Sequence, residues 1–307
     1  MADAPFATSV VTVFGGSGFL GRRVVDRLAA GGATVRVAVR HPERVSAGAK
    51  SGGTGRITSV FADIRNEASV ASAVAGATAV INAVSAYVEK AGTTYTAVHV
   101  DGARHVARQC VQNGVSRLMH VSGIGADAGS LAPYIRARGQ GEQRVREAFP
   151  AATIIRPSVM FAADGGLVRS LAAVIRQAPA IPLIAGGNTR LQPVHVCDVA
   201  AAVELCLRDP AARGLVYELG GPQTYTLRQI VGMVADKLGR HPLNVPVPLW
   251  LARRMARVLE LLPNAPLTVA QVDLLEHDNV VVMASREIIA PEKRRRIEDT
   301  IAELATI

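Results

Sequence analysis

The sequence is poor in aromatics, in cysteine and in long apolar runs. Only 4% of its 307 residues are Phe, Trp or Tyr although 49% are hydrophobic, so the interior must be built from Ala, Val, Leu and Ile. That composition suits buried parallel strands flanked by alanine-rich helices. The three cysteines, Cys110, Cys197 and Cys206, show no paired spacing, and the histidines include no helical H-E-x-x-H pair. A disulfide scaffold and a structural metal are thereby excluded, and a reducing compartment is implied. His195, Cys197 and Cys206 read as core residues rather than ligands. No stretch reaches the roughly 18 to 20 apolar residues a spanning helix needs, and residues 1–8 lack the basic-then-apolar order of a signal peptide. The expectation is a cytoplasmic protein, soluble or peripheral.

Acidic residues are also scarce, 25 Asp and Glu against 34 Lys and Arg, for a formal net charge of +9. Arginines gather at Arg22, Arg23, Arg36, Arg40 and Arg44, between Arg136 and Arg146, between Arg253 and Arg257, and in Lys293-Arg294-Arg295-Arg296. No aromatic-interleaved basic face accompanies them, which argues against nucleic acid. A polyanionic cofactor, together with an anionic membrane or an acidic protein partner, accounts for the charge.

What is present is an alternation of short β-branched runs with helical periodicity, predicting an α/β fold with a doubly wound parallel Rossmann sheet. Strands are expected at 10–14, 35–39, 57–62, 79–83, 117–121 and 153–155. Leu20, Val24 and Leu28 mark the first helix, and Gly31-Gly32 ends it. Prolines accumulate beyond Arg156-Pro157. The expected organisation is a nucleotide-binding domain over 1–156, a smaller interleaved substrate or partner lobe over 157–281 whose segments near 192–220 return to the Rossmann sheet, and a charged, helix-like tail over 282–307. The Gly/Ser-rich stretch 46–55 reads as a surface loop.

Gly15-Gly16-Ser17-Gly18-Phe19-Leu20-Gly21 follows the first expected strand and opens the first helix, the context in which a glycine triplet holds a dinucleotide. Gly15 permits the tight turn, Gly18 lets pyrophosphate oxygens approach backbone N–H groups at the positive helix end, and Gly21 lets the helix pack on the strand. Ser17, Phe19 and Leu20 complete this contact. About twenty residues on, where an acidic side chain would take a ribose 2′-OH, stands Arg40. A guanidinium suits a 2′-phosphate, so NADP(H) is expected, with Arg22 as a second cation; the alternative is that both arginines are merely solvated. Asp63 is placed either to accept the adenine amino group, with Ile64 packing on the ring, or to cap the helix beginning near Asn66. Ala83, Val84 and Ser85 follow the fourth strand and offer small residues to the cofactor.

With Val121-Ser122 and Tyr134-Ile-Arg-Ala-Arg138, the G-x-x-G-x-x-G spacing resembles the extended and atypical short-chain dehydrogenase/reductase superfamily. His120-Val-Ser-Gly-Ile-Gly-Ala-Asp127, Ile155-Arg-Pro-Ser-Val-Met-Phe161, Gln192-Pro-Val-His-Val-Cys-Asp198, Tyr217-Glu-Leu-Gly-Gly-Pro222 and His277-Asp-Asn-Val-Val281 narrow the resemblance. They are similar to the branch holding the NADPH-binding accessory subunit of respiratory complex I, its bacterial relatives and proteins linked to ubiquinone biosynthesis.

The resemblance implies a Tyr that exchanges the substrate proton, a Lys four residues later that lowers its pKa and holds the nicotinamide ribose, and a Ser or Thr that orients the substrate oxygen. Tyr134 and Ser122 take the first and last roles. The lysine is Arg138, however, and Gly123 stands where extended members often carry the hydroxyl. Pro157, inside the Ile155 to Phe161 motif, joins the cofactor-contacting set. A guanidinium keeps its charge but not an ammonium's shape. Three functions are consistent with this pattern. One is a protein holding NADPH as a structural or sensing cofactor in complex I or a quinone-linked assembly, peripheral on the inner face of the respiratory membrane. The others are an NADPH-dependent reductase or epimerase of an apolar, quinone-like carbonyl, and a nucleotide-sensing regulator.

Residues 248–262 form an amphipathic pattern with Trp250 near its start, an apolar face of Leu251, Met255, Val258, Leu259 and Leu262, and arginines at 253, 254 and 257. Two readings stand: that face lies on an anionic membrane or a partner, or it packs on its own lobe, where it could wall a quinone-accepting pocket.

Overall fold

A computed structural model describes residues 9–45, 55–90, 92–262, 265, 267–282 and 288–304. The first half runs β1 (Val10–Phe14), α1 (Gly21–Ala30), β2 (Thr34–Val39), β3 (Arg56–Phe61), α2 (Glu67–Val74) and β4 (Ala79–Asn82). A π-helical turn (Thr96–Asp101) then leads into α3 (Gly102–Gln112), β5 (Arg117–Val121), α4 (Pro133–Ala148) and β6 (Thr153–Pro157). The expected strands fall on these six, because Val- and Ile-rich runs bounded by Gly and polar residues have only the sheet interior in which to bury. Val11, Val13, Val35, Val80 and Ile81 are fully buried. Of the Gly/Ser-rich stretch 46–55, all but Gly55 lies outside the described residues.

The second half runs β7 (Met160–Ala162), α5 (Gly166–Gln177), β8 (Ala180–Ile184), β9 (Arg190–Leu191), β10 (Val194–His195), α6 (Val196–Arg208), β11 (Val216–Leu219), β12 (Tyr225–Thr226), α7 (Leu227–Lys237), β13 (Leu243–Val247), α8 (Leu249–Leu259), α9 (Val269–Leu274) and α10 (Ile297–Glu303). The main sheet has seven strands in the order β11-β6-β5-β4-β1-β2-β3, all parallel. The order reverses between β1 and β4, and a ligand crevice opens at such a switch point, outside the carboxyl ends of the strands. Helices α1 and α6 cover one face and α2 and α3 the other.

Of the segments near 192–220 expected to return to this sheet, 216–219 joins it, as the edge strand beside β6. Segment 192–196 instead supplies β10 to a two-stranded pairing with β7, and it is α6 that returns, packing beside α1. Asn279, in the His277-Asp-Asn motif, fixes this crossing. Its side chain accepts from the Ser158 hydroxyl at 2.6 Å and the Val159 amide at 2.8 Å, while its backbone carbonyl accepts from Gln192 N at 3.0 Å.

The stretch expected to be a charged tail is instead partly built into the small lobe. Ile297, Ile301 and Leu304 of α10 and its C-cap are buried in the cluster formed by α5 and α7, and the Arg295 guanidinium is ion-paired with the buried Asp198. For the amphipathic helix α8 two packings stood open. Leu249, Ala252 and Ala256 face inward against Val247, Ile184 and Val272, while Trp250, Leu251, Met255 and Val258 point outward. Among the described residues no helix is long and apolar enough to cross a membrane.

Beneath α4, three buried charges tie the layers together. Arg156 of β6 makes a two-pronged contact with Glu142 of α4 (2.9 and 2.7 Å) and lies 3.6 Å from Glu218 of β11. Both carboxylates are almost fully buried. Removing Arg156 takes from the buried Glu142 its two-pronged cationic partner, which costs on the order of 3–5 kcal/mol. Arg156→Met is therefore expected to lower stability by that amount at neutral pH in denaturant titrations. The deficit should shrink in acid, where the Glu142 carboxylate takes up a proton.

Candidate functional site

Gly15 adopts φ +73°, and a Cβ there would sit 2.8 Å from the Ala83 carbonyl oxygen. A Cβ on Gly21 would meet the Gly15 oxygen at 2.0 Å, and one on Gly18 would come within 3.1 Å of the same atom. The turn thus brings β1, β4 and the first residue of α1 into backbone-on-backbone contact, closed by Gly18 N donating to Gly15 O at 2.9 Å. Helix α1 has neither a side-chain cap nor an acidic residue in its first turn, which leaves N-terminal amides and the positive helix end for an anion. Ser17 and Gly18 are exposed on the turn, whereas the Leu20 side chain is buried in the core. Phe19 lies with its ring against Gly165 and beneath Arg23.

The cations expected near the ribose separate. Arg40 is exposed at the end of β2, and among the described residues no acidic partner binds it. Arg22 is drawn away: its guanidinium reaches Asp164 at 2.7 Å, sharing that carboxylate with Arg23. One carboxylate shared by two guanidiniums leaves a net positive charge beside the turn, so the Asp164 contact offsets the Arg22 charge only in part.

Asp63 follows β3, and Arg65 holds its carboxylate through the backbone amide (3.0 Å) and Nε (2.9 Å). The hydrogen bonds from Arg65 lower the Asp63 pKa, against a smaller opposing effect of burial, and the charge of Arg40 adds to the lowering. Arg40 and Asp63 therefore face the same region beyond β2 and β3. Asp63 does not cap α2; Asn66 does, accepting from Ser69 N at 3.1 Å. Ile64 is turned inward rather than toward a ring, 6% exposed and packed against Gly102 of α3. Beyond β4, Ala83 and Val84 are half-buried and Ser85 exposed, with Val84 N donating to the buried Asn82 side chain at 3.2 Å. The Pro157 carbonyl accepts from Ile124 N at 3.1 Å, which joins the ends of β5 and β6.

Pro133 occupies the first turn of α4, where its missing N–H is tolerated, and this places Tyr134, Arg138 and Glu142 on successive turns of one face. Arg138 Nη1 donates to the Tyr134 hydroxyl at 2.6 Å, and the Ser85 hydroxyl lies 3.5 Å from the same oxygen. Burial works against the Arg138 charge, but the Tyr134 and Tyr87 hydroxyls and Glu142 outweigh it, so its pKa lies above the usual value. The expected hydroxyl partner, Ser122, is buried but makes no hydrogen bond to Tyr134; its Oγ and the Arg138 Nε have no partner among the described residues. A Cβ at Gly123 would be 3.1 Å from the Arg138 guanidinium carbon. The Gly and the Arg that depart from the expected pattern are thus in contact, the guanidinium lying over the position where a side chain is missing.

Three residues that motif reading passed over enclose Tyr134. Tyr87 stacks on its ring at 5.2 Å, while Tyr95 and His99 meet it edge-on at 5.4 Å each. Tyr134 has no exposed surface, so a substrate oxygen reaches its hydroxyl only once this cage opens. The pKa of Tyr87, which is 41% exposed, is raised chiefly by the neighbouring Tyr134, and that of Tyr95 by burial. The signal for the cage was present in the run of aromatics after β4, but only the fold brings it onto α4.

Two buried histidines flank the site. Burial pushes His99 down to about 3 and His120, which lies 3.3 Å from the Asn82 side chain, down to about 4. Both remain neutral in the fold and charge on unfolding. Their contribution to stability is therefore complete above the unfolded value near 6.5 and is lost as pH falls toward 4. A loss of about 2 kcal/mol for each is expected by pH 5, read as a falling melting temperature between pH 7 and 5; a flat profile would contradict the burial of two neutral histidines.

Residues 15–210 match the family model described as NAD(P)H-binding. Over 282 residues the chain is 32% identical to the mitochondrial NADH dehydrogenase (ubiquinone) 1 alpha subcomplex subunit 9 of Arabidopsis thaliana, covering 89% of this chain and 69% of that one. The mitochondrial NADH-ubiquinone oxidoreductase 40 kDa subunit of Neurospora crassa is also 32% identical, over 271 residues covering 88% and 71%. Among solved structures, a nucleoside-diphosphate-sugar epimerase of Staphylococcus aureus aligns with a TM-score of 0.75 at 15% identity, over 95% of this chain and 99% of that one, a likeness of fold.

Proposed function

The chain belongs to the NAD(P)H-binding family, among the relatives of the complex I alpha subcomplex subunit 9 and 40 kDa subunit, and on that premise we propose that it holds NADPH as a structural or sensing cofactor. The backbone of Gly15, Ser17, Gly18, Phe19, Leu20 and Gly21 cradles the pyrophosphate, Arg40 takes the 2′-phosphate, and Asp63 borders the adenine. Ala83, Val84, Ser85, Pro157 and Arg138 line the nicotinamide half, with the buried Tyr134 reaching it through its hydrogen bond from Arg138. The residues fit such a group: an uncapped helix N-terminus behind a glycine turn whose backbone contacts leave no room for side chains, and two orphaned buried polar atoms, Ser122 Oγ and Arg138 Nε, whose needs ribose hydroxyls can meet.

A bound nicotinamide would supply hydride chemistry. What this chain's residues do is bind and enclose. The observation that carries a holding rather than a turnover role is the Arg138 clamp on a fully buried Tyr134. A reductase or epimerase of a quinone-like carbonyl needs that hydroxyl to meet substrate. The assembly proposed is complex I or a quinone-linked complex, with the protein peripheral on the inner face of the respiratory membrane.

One experiment tests cofactor and assembly together. In a sucrose gradient of gently solubilised membranes, the parent protein co-migrates with complex I or a quinone-synthesis complex. Arg40→Glu replaces the phosphate-binding cation by an anion and should weaken NADPH binding at least about tenfold relative to NADH, moving the protein to the top of the gradient. Recovery of the parent only as free protein would count against the assembly, and an unchanged preference in Arg40→Glu against the cofactor assignment.

A further inference from the structure

We infer that the outer face of α8 is a docking surface for an anionic lipid bilayer. Trp250, Leu251, Met255, Val258, Leu261 and Leu262 are all exposed, Val258 by 67% and Trp250 by 60%. At about 100° per residue Trp250, Leu251, Met255 and Val258 fall within an arc of roughly 140°, Leu261 and Leu262 extend the exposed apolar surface in the turn after the helix, and Ala252 and Ala256 occupy the inward side. Two alanines and Leu249 hold the helix to the protein, and most of its large apolar residues are left in water. A contiguous exposed face of this kind marks an interaction site.

The charges say which occupant fits. Arg253 is neutralised from its own lobe by Asp273 and Glu276. Arg254, within the apolar arc and stacked over Trp250 at 5.8 Å, and Arg257 at its edge have no acidic partner among the described residues. Two unneutralised guanidiniums beside an apolar arc, with an indole at the boundary, match headgroup phosphates above acyl chains. A second copy of the chain fits poorly, because a two-fold contact sets Arg254 and Arg257 against themselves. The inference deepens the peripheral placement proposed above and rests on it only for which membrane is bound.

Trp250 is the single tryptophan of the chain, so its emission reports this face directly. The test uses the full chain with vesicles of phosphatidylcholine, alone or with phosphatidylglycerol at about one part in three, and titrates NADPH into the same samples. The expected result is a blue shift and co-sedimentation with the anionic vesicles, weakened about tenfold without phosphatidylglycerol or in the Arg254→Glu, Arg257→Glu double variant. Val258→Asp should abolish both signals without lowering the melting temperature, its side chain being outside the fold's packing. Unmoved emission on anionic vesicles overturns the inference. So does a shift that grows with protein concentration without lipid, or one produced by soluble polyglutamate and not by vesicles, which assign the face to a second copy or an acidic protein. NADPH binding without a vesicle response sinks this inference alone; a vesicle response without NADPH binding sinks the nucleotide reading alone.

Discussion

The contact between Gly21 and the Gly15 carbonyl leaves no room for a single carbon: a Cβ on Gly21 would stand 2.0 Å from that oxygen. This constraint sets how closely α1 approaches the ends of β1 and β4, and the placement of the crevice depends on it. With the helix drawn in, its uncapped N-terminus points where the sheet order reverses, the arrangement in which amides and helix dipole favour an anion. Arg40 and Asp63, at the ends of the next two strands, then fall on one side of that point, and Ser85 and the α4 residues on the other.

The second half of the site is organised by charge. Tyr134, Arg138 and Glu142 climb one face of α4, and Glu142 continues through Arg156 to Glu218 in the sheet. Arg138 is therefore held between a phenol and the field of a buried carboxylate, and its guanidinium fills the space that Gly123 leaves open. Two departures from the reductase pattern, which look independent in the sequence, are one packing arrangement. A lysine would leave part of that volume empty, and a larger residue at 123 would crowd the guanidinium. The aromatic cage over Tyr134 completes an arrangement suited to enclosing a ligand rather than to admitting a substrate.

The parallel sheet and the glycine turn were legible because local chemistry decides them: β-branched runs have one stable burial, and Gly15 at positive φ with Gly21 against a carbonyl admits no substitute. What was not legible rests on partners remote in sequence. Arg22 looked free until Asp164 met it, and the 282–307 stretch looked like a tail until Ile297 and Ile301 found α5 and α7. Ile64 followed the strand end as expected but turned toward Gly102. In α8 the amphipathic period was legible and its direction was left open, because periodicity separates two faces without saying which one finds a neighbour. Arg65, two residues from Asp63, was the exception; that pairing could have been read from adjacency alone.

The central claim is that this chain retains NADPH without turning it over, and the nucleotide released on denaturing the purified protein tests it most directly. Mass spectrometry of the supernatant should find NADP(H) near one equivalent, and a pre-incubation with labelled NADPH should show exchange slower than the purification itself. Release of NAD(H), or exchange complete within seconds and accompanied by NADPH oxidation on addition of a quinone-like carbonyl, would contradict the account.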